Sequence, residues 1–251
     1  MATYVLVHGG FHGAWCWERV IPLLQAATHK AYAPTLSGLG ERAHLLSPDI
    51  GLDTHILDVV GLLESQDMRA VILVGHSYGG MVITGVADRN PVRIGHLVYL
   101  DTFVPRDRES MADIVPHVIN RYRRQARARG DGWRVDPVRQ SPFGMRGIYG
   151  VTKQPDLNWV RSMLQPQSLK TFEQPLALAN PHIVESLPRT HIYCTGGGLL
   201  FSVIRRIVAR RTLPPVAPGW RCRKLPTGHD CMITMPGELT DLLLEIARPT
   251  P

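Results

Sequence analysis

Three short stretches of this 251-residue chain hold residue types that together can carry out acyl transfer. The first is Val71-Ile72-Leu73-Val74-Gly75-His76-Ser77-Tyr78-Gly79-Gly80-Met81, a G-x-S-x-G pattern between an apolar run and a helix-like stretch. A serine at a sharp strand-to-helix turn, a nucleophile elbow, presents its hydroxyl clear of the backbone, and small residues two places to either side let neighbouring chain pass closely. Gly75 and Gly79 meet that need, which makes Ser77 the candidate nucleophile. The pattern also occurs by chance in Gly-rich turns, and the buried-type strand before it is what gives it meaning here.

The second stretch is Val7-His8-Gly9-Gly10-Phe11-His12-Gly13-Ala14-Trp15, directly after the first apolar run. Acyl transfer builds negative charge on a carbonyl oxygen, and fixed backbone N–H donors lower that barrier by about 2.7–4 kcal/mol each in measured cases. The N–H of Tyr78, after the nucleophile, and that of Gly10 are the two candidates for this oxyanion hole. His8 and His12 have no carboxylate near them in sequence and are read as structural hydrogen-bonders, not metal ligands. The third stretch is Leu225-Pro226-Thr227-Gly228-His229-Asp230-Cys231. A tripeptide G-H-D is weak alone. Placed after the last strand and about 150 residues beyond the elbow, His229 becomes the candidate general base, in the chain order serine then histidine.

These residues need a scaffold, and apolar periodicity outlines one. Short β-rich runs alternate with longer helical stretches, the pattern of a parallel sheet covered by helices. Strands are predicted at Tyr4–Val7, Ala31–Ala33, Ala70–Val74, Ile94–Leu100, His191–Cys194 and Arg221–Leu225. Helices are predicted at Trp15–Ala27, from Thr54 as N-cap through Leu63, at Met81–Asp88 and at Pro236–Ala247. Between 106 and 187 the alternation stops. That segment is too long for a plain loop between two strands. It reads as a helical cap on a core made of 1–105 and 188–251.

Composition narrows the function classes. A chain this long with 44% apolar residues suits one core plus an insertion. The start lacks a charged, then long apolar, leader, and no stretch approaches the roughly 20 apolar residues of a membrane span, so a cytoplasmic protein is expected. Four cysteines without paired spacing suggest buried or free thiols. The net charge is +7, and residues 106–149 hold ten arginines against five acids. Five of these fall between Arg121 and Arg129, read as a solvated helix face; no nucleic-acid motif accompanies them.

The stretches around His8, Trp15 and Ser77, with Tyr99-Leu100-Asp101-Thr102-Phe103-Val104-Pro105 and Pro166-Gln167-Ser168-Leu169-Lys170-Thr171-Phe172, resemble one branch of the α/β hydrolases. That branch holds plant hydroxynitrile lyases, plant methylesterases and bacterial carboxylesterases, pyrethroid hydrolases among them. The resemblance implies an α/β-hydrolase fold with a mostly parallel sheet of about six strands, starting directly at the third strand of the full fold. It also implies a helical cap over 106–187. Lyases of the branch tend to carry threonine at the position of Gly9 and lysine at that of Asp230. A carboxylate beside the base would oppose an anionic leaving group, so both positions point to ester hydrolysis. Family members often carry the triad acid soon after the seventh strand, where this chain has Thr195-Gly196-Gly197-Gly198. The acid must come from elsewhere or be missing. Asp101 is the best substitute, with a role as a strand-end turn cap as the alternative; Asp230 is a poorer one, and His76 is expected to pack beside the elbow.

The expected function is therefore a metal-free, cofactor-free carboxylesterase of a small-to-medium apolar ester, using Ser77, His229 and Asp101. Phe11, Trp159 and Phe172 are expected to contact substrate. Phe143, Ile148, Tyr149, Met163 and Leu164 complete an expected apolar pocket. The expected partner is a small-molecule ester, with no nucleic acid and no membrane, and a homodimer is left open. Rival readings are a lyase or secondary-metabolism tailoring enzyme, a slow receptor-like binding protein, and a degenerate hydrolase.

Overall fold

A computed structural model describes residues 1–138, 147–196 and 220–248. Six strands form one parallel sheet in the order β2-β1-β3-β4-β7-β8. They are β1 Thr3–Val7, β2 Lys30–Tyr32, β3 Val71–His76, β4 Ile94–Leu100, β7 Arg189–Cys194 and β8 Trp220–Leu225. The central strands are almost wholly buried because helices cover both faces of such a sheet. Every residue of β3 is buried. The principal helices of the core are α1 Ile21–Ala26, α2 Leu52–Ser65, α3 Gly79–Arg89 and, near the C-terminus, α9 Cys231–Thr234 and α10 Pro236–Ala247.

Two predicted helix starts shift for local reasons. The stretch predicted as one helix over Trp15–Ala27 splits into a 3-10 turn, Ala14–Trp17, and α1. Pro22 lies in the first turn of α1, where its missing N–H costs no hydrogen bond, and so starts a new helix. Helix α2 begins at Leu52, not after Thr54. Thr54 sits in its first turn and accepts a hydrogen bond from Gly51 N–H at 3.3 Å, so its hydroxyl still closes the helix start.

Between β4 and β7 the chain forms α4 Met111–Ile114, α5 Pro116–Arg129, α6 Gln154–Met163, α7 Lys170–Glu173 and α8 Pro181–Ser186. A small antiparallel ribbon joins them, β5 Arg134–Val135 with β6 Gln167–Ser168, which periodicity did not foretell. A two-residue strand is too short to show a period. On α5, Ile119 and Ala126 are buried with Tyr122 between them, while Arg123 pairs with Glu173 at 2.5 Å and Arg129 pairs with Asp136. Among the described residues no helix is long and apolar enough to cross a membrane. Cys16, Cys194 and Cys231 are buried and Cys222 is exposed, and none of the four forms a disulfide among the described residues.

Strand order and register decide where chemistry is possible. From β1 the chain moves to β2 on one side, then returns to β3 on the other. Such a reversal opens a crevice at the carboxyl ends of the two strands. Val7 lies opposite Gly75, so the loops after β1 and β3 leave the sheet side by side. His76 lies opposite Leu100, and Leu100 opposite Ile192. The residues that follow these strand ends, Ser77 and Asp101, are therefore neighbours at the same edge.

Candidate active site

Ser77 adopts φ +52°, the left-handed region that a non-glycine residue enters only when the fold holds it there. Its N–H donates to Leu100 O at 3.2 Å, and the Thr102 hydroxyl donates to its carbonyl. The flanking glycines are steric necessities. A Cβ on Gly75 would lie 2.5 Å from Gly79 O, and one on Gly79 would lie 2.9 Å from Val7 O.

His229 follows β8 and is largely buried. Its Nδ1–H donates to Asp101 Oδ2 at 2.6 Å, a short charge-assisted contact. The other carboxylate oxygen of Asp101 accepts Cys194 N–H at 2.9 Å. With the proton on Nδ1, the imidazole keeps a lone pair at Nε2. Burial alone would lower the His229 pKa. The hydrogen bond that His229 donates to Asp101 and the charges of Asp101 and Asp230 outweigh it and hold the pKa above the ordinary imidazole value.

The histidine beside the nucleophile behaves differently. His76 is buried and donates through Nε2 to His229 O at 3.0 Å. Burial, together with the neighbouring His229 and His12, pushes its pKa well down, so it remains a neutral strut between the elbow and the base loop. His8 donates to Gly9 O at 2.8 Å and accepts from Leu36 N–H at 3.1 Å. His55 donates to Ser37 O and accepts from Tyr78 OH, both at 2.9 Å. Each needs one protonated and one bare nitrogen, and burial lowers their pKa values, His8 to about 3 and His55 to about 4.

A pocket of about 70 Å³ collects these groups. Gly10, Phe11, Ser77, Tyr78, Phe172 and His229, all singled out from sequence, line it. Neither Gly10 N–H nor Tyr78 N–H has a hydrogen-bond partner among the described residues, so both remain available to a ligand oxygen. Aromatic rings form one wall: Tyr122 to Phe172 at 5.3 Å, Phe11 to Tyr122 at 5.5 Å and Tyr78 to Phe172 at 5.5 Å between centroids. Asp101 does not line the pocket and reaches it only through His229.

Several expectations are corrected. Trp159 does not line the pocket. Its ring packs edge-on to Trp15 at 5.1 Å, with the Arg19 guanidinium over it at 5.3 Å. An indole on an amphipathic helix finds a larger apolar partner on the core side than in the crevice. Of the other aromatic and aliphatic candidates, Tyr149 lines the pocket, Ile148, Met163 and Leu164 do not, and Phe143 lies outside the described residues. Met111, Val118 and Tyr122, which sequence reasoning left out, supply the missing wall. The signal was present in the spacing of Ile119, Tyr122 and Ala126, but five arginines masked it. Asp230 is fully buried and turns away from the pocket, its Oδ2 3.2 Å from His12 Nε2. Its charge still reaches the base, whose pKa it helps to raise.

The strand order, the elbow and the loops around it define an α/β hydrolase, and the chain belongs to the Alpha/beta hydrolase family, whose model matches residues 4–242. It is 39% identical over 252 residues to the carbendazim hydrolyzing esterase of Nocardioides sp. (strain SG-4G), covering 97% of this chain and 98% of that one. It is 26% identical to methylesterase 10 of Arabidopsis thaliana, over 97% of this chain and 91% of the relative. In fold it is similar to an extracellular alpha/beta-hydrolase from a Paenibacillus species, described as a structural and functional homologue of tobacco salicylic acid binding protein 2. The TM-score is 0.77 at 22% identity, over 98% of both chains.

Proposed function

We propose that this chain is a serine carboxylesterase that hydrolyses small-to-medium apolar esters through an acyl-enzyme. The observation that carries this reading is the 2.6 Å contact between His229 Nδ1 and Asp101, at a pocket that also holds Ser77 and two uncommitted backbone N–H groups. Ser77 Oγ attacks the ester carbonyl while His229 Nε2 takes its proton. The carbonyl oxygen becomes an oxyanion held by Gly10 and Tyr78 N–H. Asp101 stabilises the imidazolium formed at this moment and keeps the imidazole in the tautomer that can accept the proton. As the tetrahedral intermediate collapses, the C–O bond to the alcohol breaks and His229 returns the proton to the leaving oxygen. Water, deprotonated by His229, then attacks the acyl-serine, and a second collapse frees the acid and Ser77. Residues 106–187 act as the cap that supplies Met111, Tyr122, Tyr149 and Phe172 to the apolar wall. Names of the relatives support an esterase, and Gly9, in place of threonine, favours hydrolysis over cyanohydrin cleavage.

The test uses a chromogenic ester panel, with carbendazim included because of the Nocardioides relative, and a fluorophosphonate label. The parent should turn over esters and take up one label, and Ser77→Ala should lose both. Equal labelling or turnover by the Ala variant would remove Ser77 from the mechanism. Ester hydrolysis absent from the parent across the panel would overturn the esterase reading.

A further inference from the structure

The esterase reading requires Gly10 N–H to point at the oxyanion, and Gly10 lies in a loop with no regular secondary structure. The next peptide in that loop, linking Gly10 to Phe11, is held at both ends. Its carbonyl, Gly10 O, accepts from His12 Nδ1 at 2.7 Å. Its N–H, on Phe11, donates to Gln167 Oε1 at 2.7 Å. Phe11 itself adopts φ +66°, a conformation that a bulky residue keeps only when its surroundings impose it. The carbonyl of Phe11 accepts from Gln165 N–H at 3.0 Å, so both backbone polar groups of Phe11 are bound to the segment around β6.

Both anchors are themselves anchored. Gln167 is buried, and its amide Nε2 donates to Thr171 Oγ1 at 2.8 Å, whose hydroxyl donates to Ser168 O at 2.7 Å. That leaves Oε1 no choice but to face Phe11. A carbonyl only accepts, so His12 Nδ1 carries a proton. His12 Nε2 then meets Asp230 Oδ2 at 3.2 Å, deep in the protein, with His12 stacked on Trp15 at 5.2 Å. Asp230 directly follows His229, and its N–H donates to Tyr149 O at 2.8 Å. The loop that bears the base and the loop that bears the oxyanion donor are thus joined by one buried contact.

We infer that Gln167 and the His12–Asp230 couple are positioning residues for the reaction, a two-sided clamp on the Gly10–Phe11 peptide that aims Gly10 N–H at the oxyanion. The inference rests on the esterase reading. Misplacing a reacting group by about 1 Å costs on the order of a hundredfold, and losing an oxyanion donor outright costs about 10²–10³ in kcat. Because the ground-state ester needs the donor less than the tetrahedral intermediate does, the loss falls on kcat and spares KM.

The test compares four variants with the parent on one p-nitrophenyl ester, and measures inhibition by a trifluoromethyl ketone, whose adduct with Ser77 places an oxyanion in the hole. Gln167→Met keeps the volume and removes the acceptor. Gln167→Asn keeps the amide but falls short by one methylene, a second arm should the first misfold. The double variant His12→Phe/Asp230→Leu keeps the stack on Trp15 and removes the couple without stranding a buried charge. Each should lose about 30–100-fold in kcat with KM within about threefold, and ketone affinity should fall by a similar factor. Asp230→Asn is the conservative rescue. Its amide N–H can donate to His12 Nε2 while Nδ1–H stays on Gly10 O, so the loss should stay under about fivefold, against the larger loss expected of a misplaced donor. Turnover within threefold of the parent in the folded Gln167 variants and the double variant overturns the clamp while leaving the esterase intact. So does a kcat loss with unchanged ketone affinity, or an Asp230→Asn variant as impaired as the double. A parent without Ser77-dependent ester turnover overturns the functional reading and the clamp with it.

Discussion

Replacing Asp101 by asparagine is the most informative single perturbation, because two contacts dictate how the new side chain must sit. Cys194 N–H donates to one carboxylate oxygen and His229 Nδ1–H to the other. In the variant, the amide oxygen must take the Cys194 contact, since that N–H can only donate. The NH2 group then faces His229 and itself donates. His229 must offer a bare Nδ1, which moves its proton to Nε2, and Nε2 can no longer accept from Ser77. The lost charge adds to this. A carboxylate and an imidazolium about 4 Å apart between charge centres interact by about 4 kcal/mol at an effective dielectric of about 20, or about three decades in rate at 1.4 kcal/mol each. Neutralising the corresponding acid in a serine protease costs about 10⁴ in kcat. The expected loss is therefore about 10³–10⁴-fold. Folding should survive, because Asp101 has φ +43° and asparagine is well tolerated in that region. The assay is steady-state hydrolysis of a p-nitrophenyl ester, with thermal melting of the same sample. A folded Asp101→Asn variant within tenfold of parental kcat would refute the reasoning and leave a Ser77–His229 dyad.

Four further outcomes are expected. The acid limb of kcat/KM should have its midpoint above about 6.5, the ordinary value, because the base must be neutral and its pKa is raised; in Asp101→Asn, where burial remains and the opposing contact is gone, the limb should move to lower pH, and a limb that stays put would contradict the assignment. Stability should fall with acidification. His8, His55 and His76 have folded pKa values below the unfolded 6.5, so their contribution is complete above pH 6.5 and is lost as pH drops towards about 4 for His55 and about 3 for His8, at about 1.4 kcal/mol per pH unit for each histidine that protonates only on unfolding; urea melts with equal stability at pH 7 and pH 5 would count against it. Gly9→Thr should lose more than about a hundredfold in esterase activity, in line with the cost of displacing a reacting group, and should not release cyanide from mandelonitrile faster than Ser77→Ala, since a Cβ there would lie 2.9 Å from His76 Nδ1 and 3.1 Å from Ser77 Cβ. Gly196→Asp should fail to restore Asp101→Asn in the same ester assay, because a Cβ at 196 would lie 2.6 Å from Thr227 C and 2.7 Å from Thr227 O; recovery of turnover would show that this crowding relaxes.

Much of this site was legible in the chain because its signals are local. An elbow needs glycines at fixed offsets from the serine, a buried strand needs a run such as Val71–Val74, and the loops carrying Gly10 and His229 directly follow strands that their own composition reveals. The partner of His229 was not legible in that way. Asp101 and Asp230 are both near it on some measure, one in the fold and one in the chain, and only the pairing of Leu100 with His76 and with Ile192 brings Asp101 to the imidazole. The same holds for Gly196, whose crowding by Thr227 follows from the pairing of β7 with β8. Trp159 and Tyr122 exchanged roles for a related reason. Both lie on amphipathic helices, and a helix's own pattern tells which face is apolar but not what that face meets. Once the helices pack, Trp159 goes to Trp15 and Tyr122 to Phe11 and Phe172. The link from His12 to Asp230 spans 218 residues, and no periodicity reaches across that distance. Local chemistry is written in spacing along the chain, whereas which carboxylate serves which imidazole depends on strand register, a property of pairs of distant segments that forms only when the sheet does.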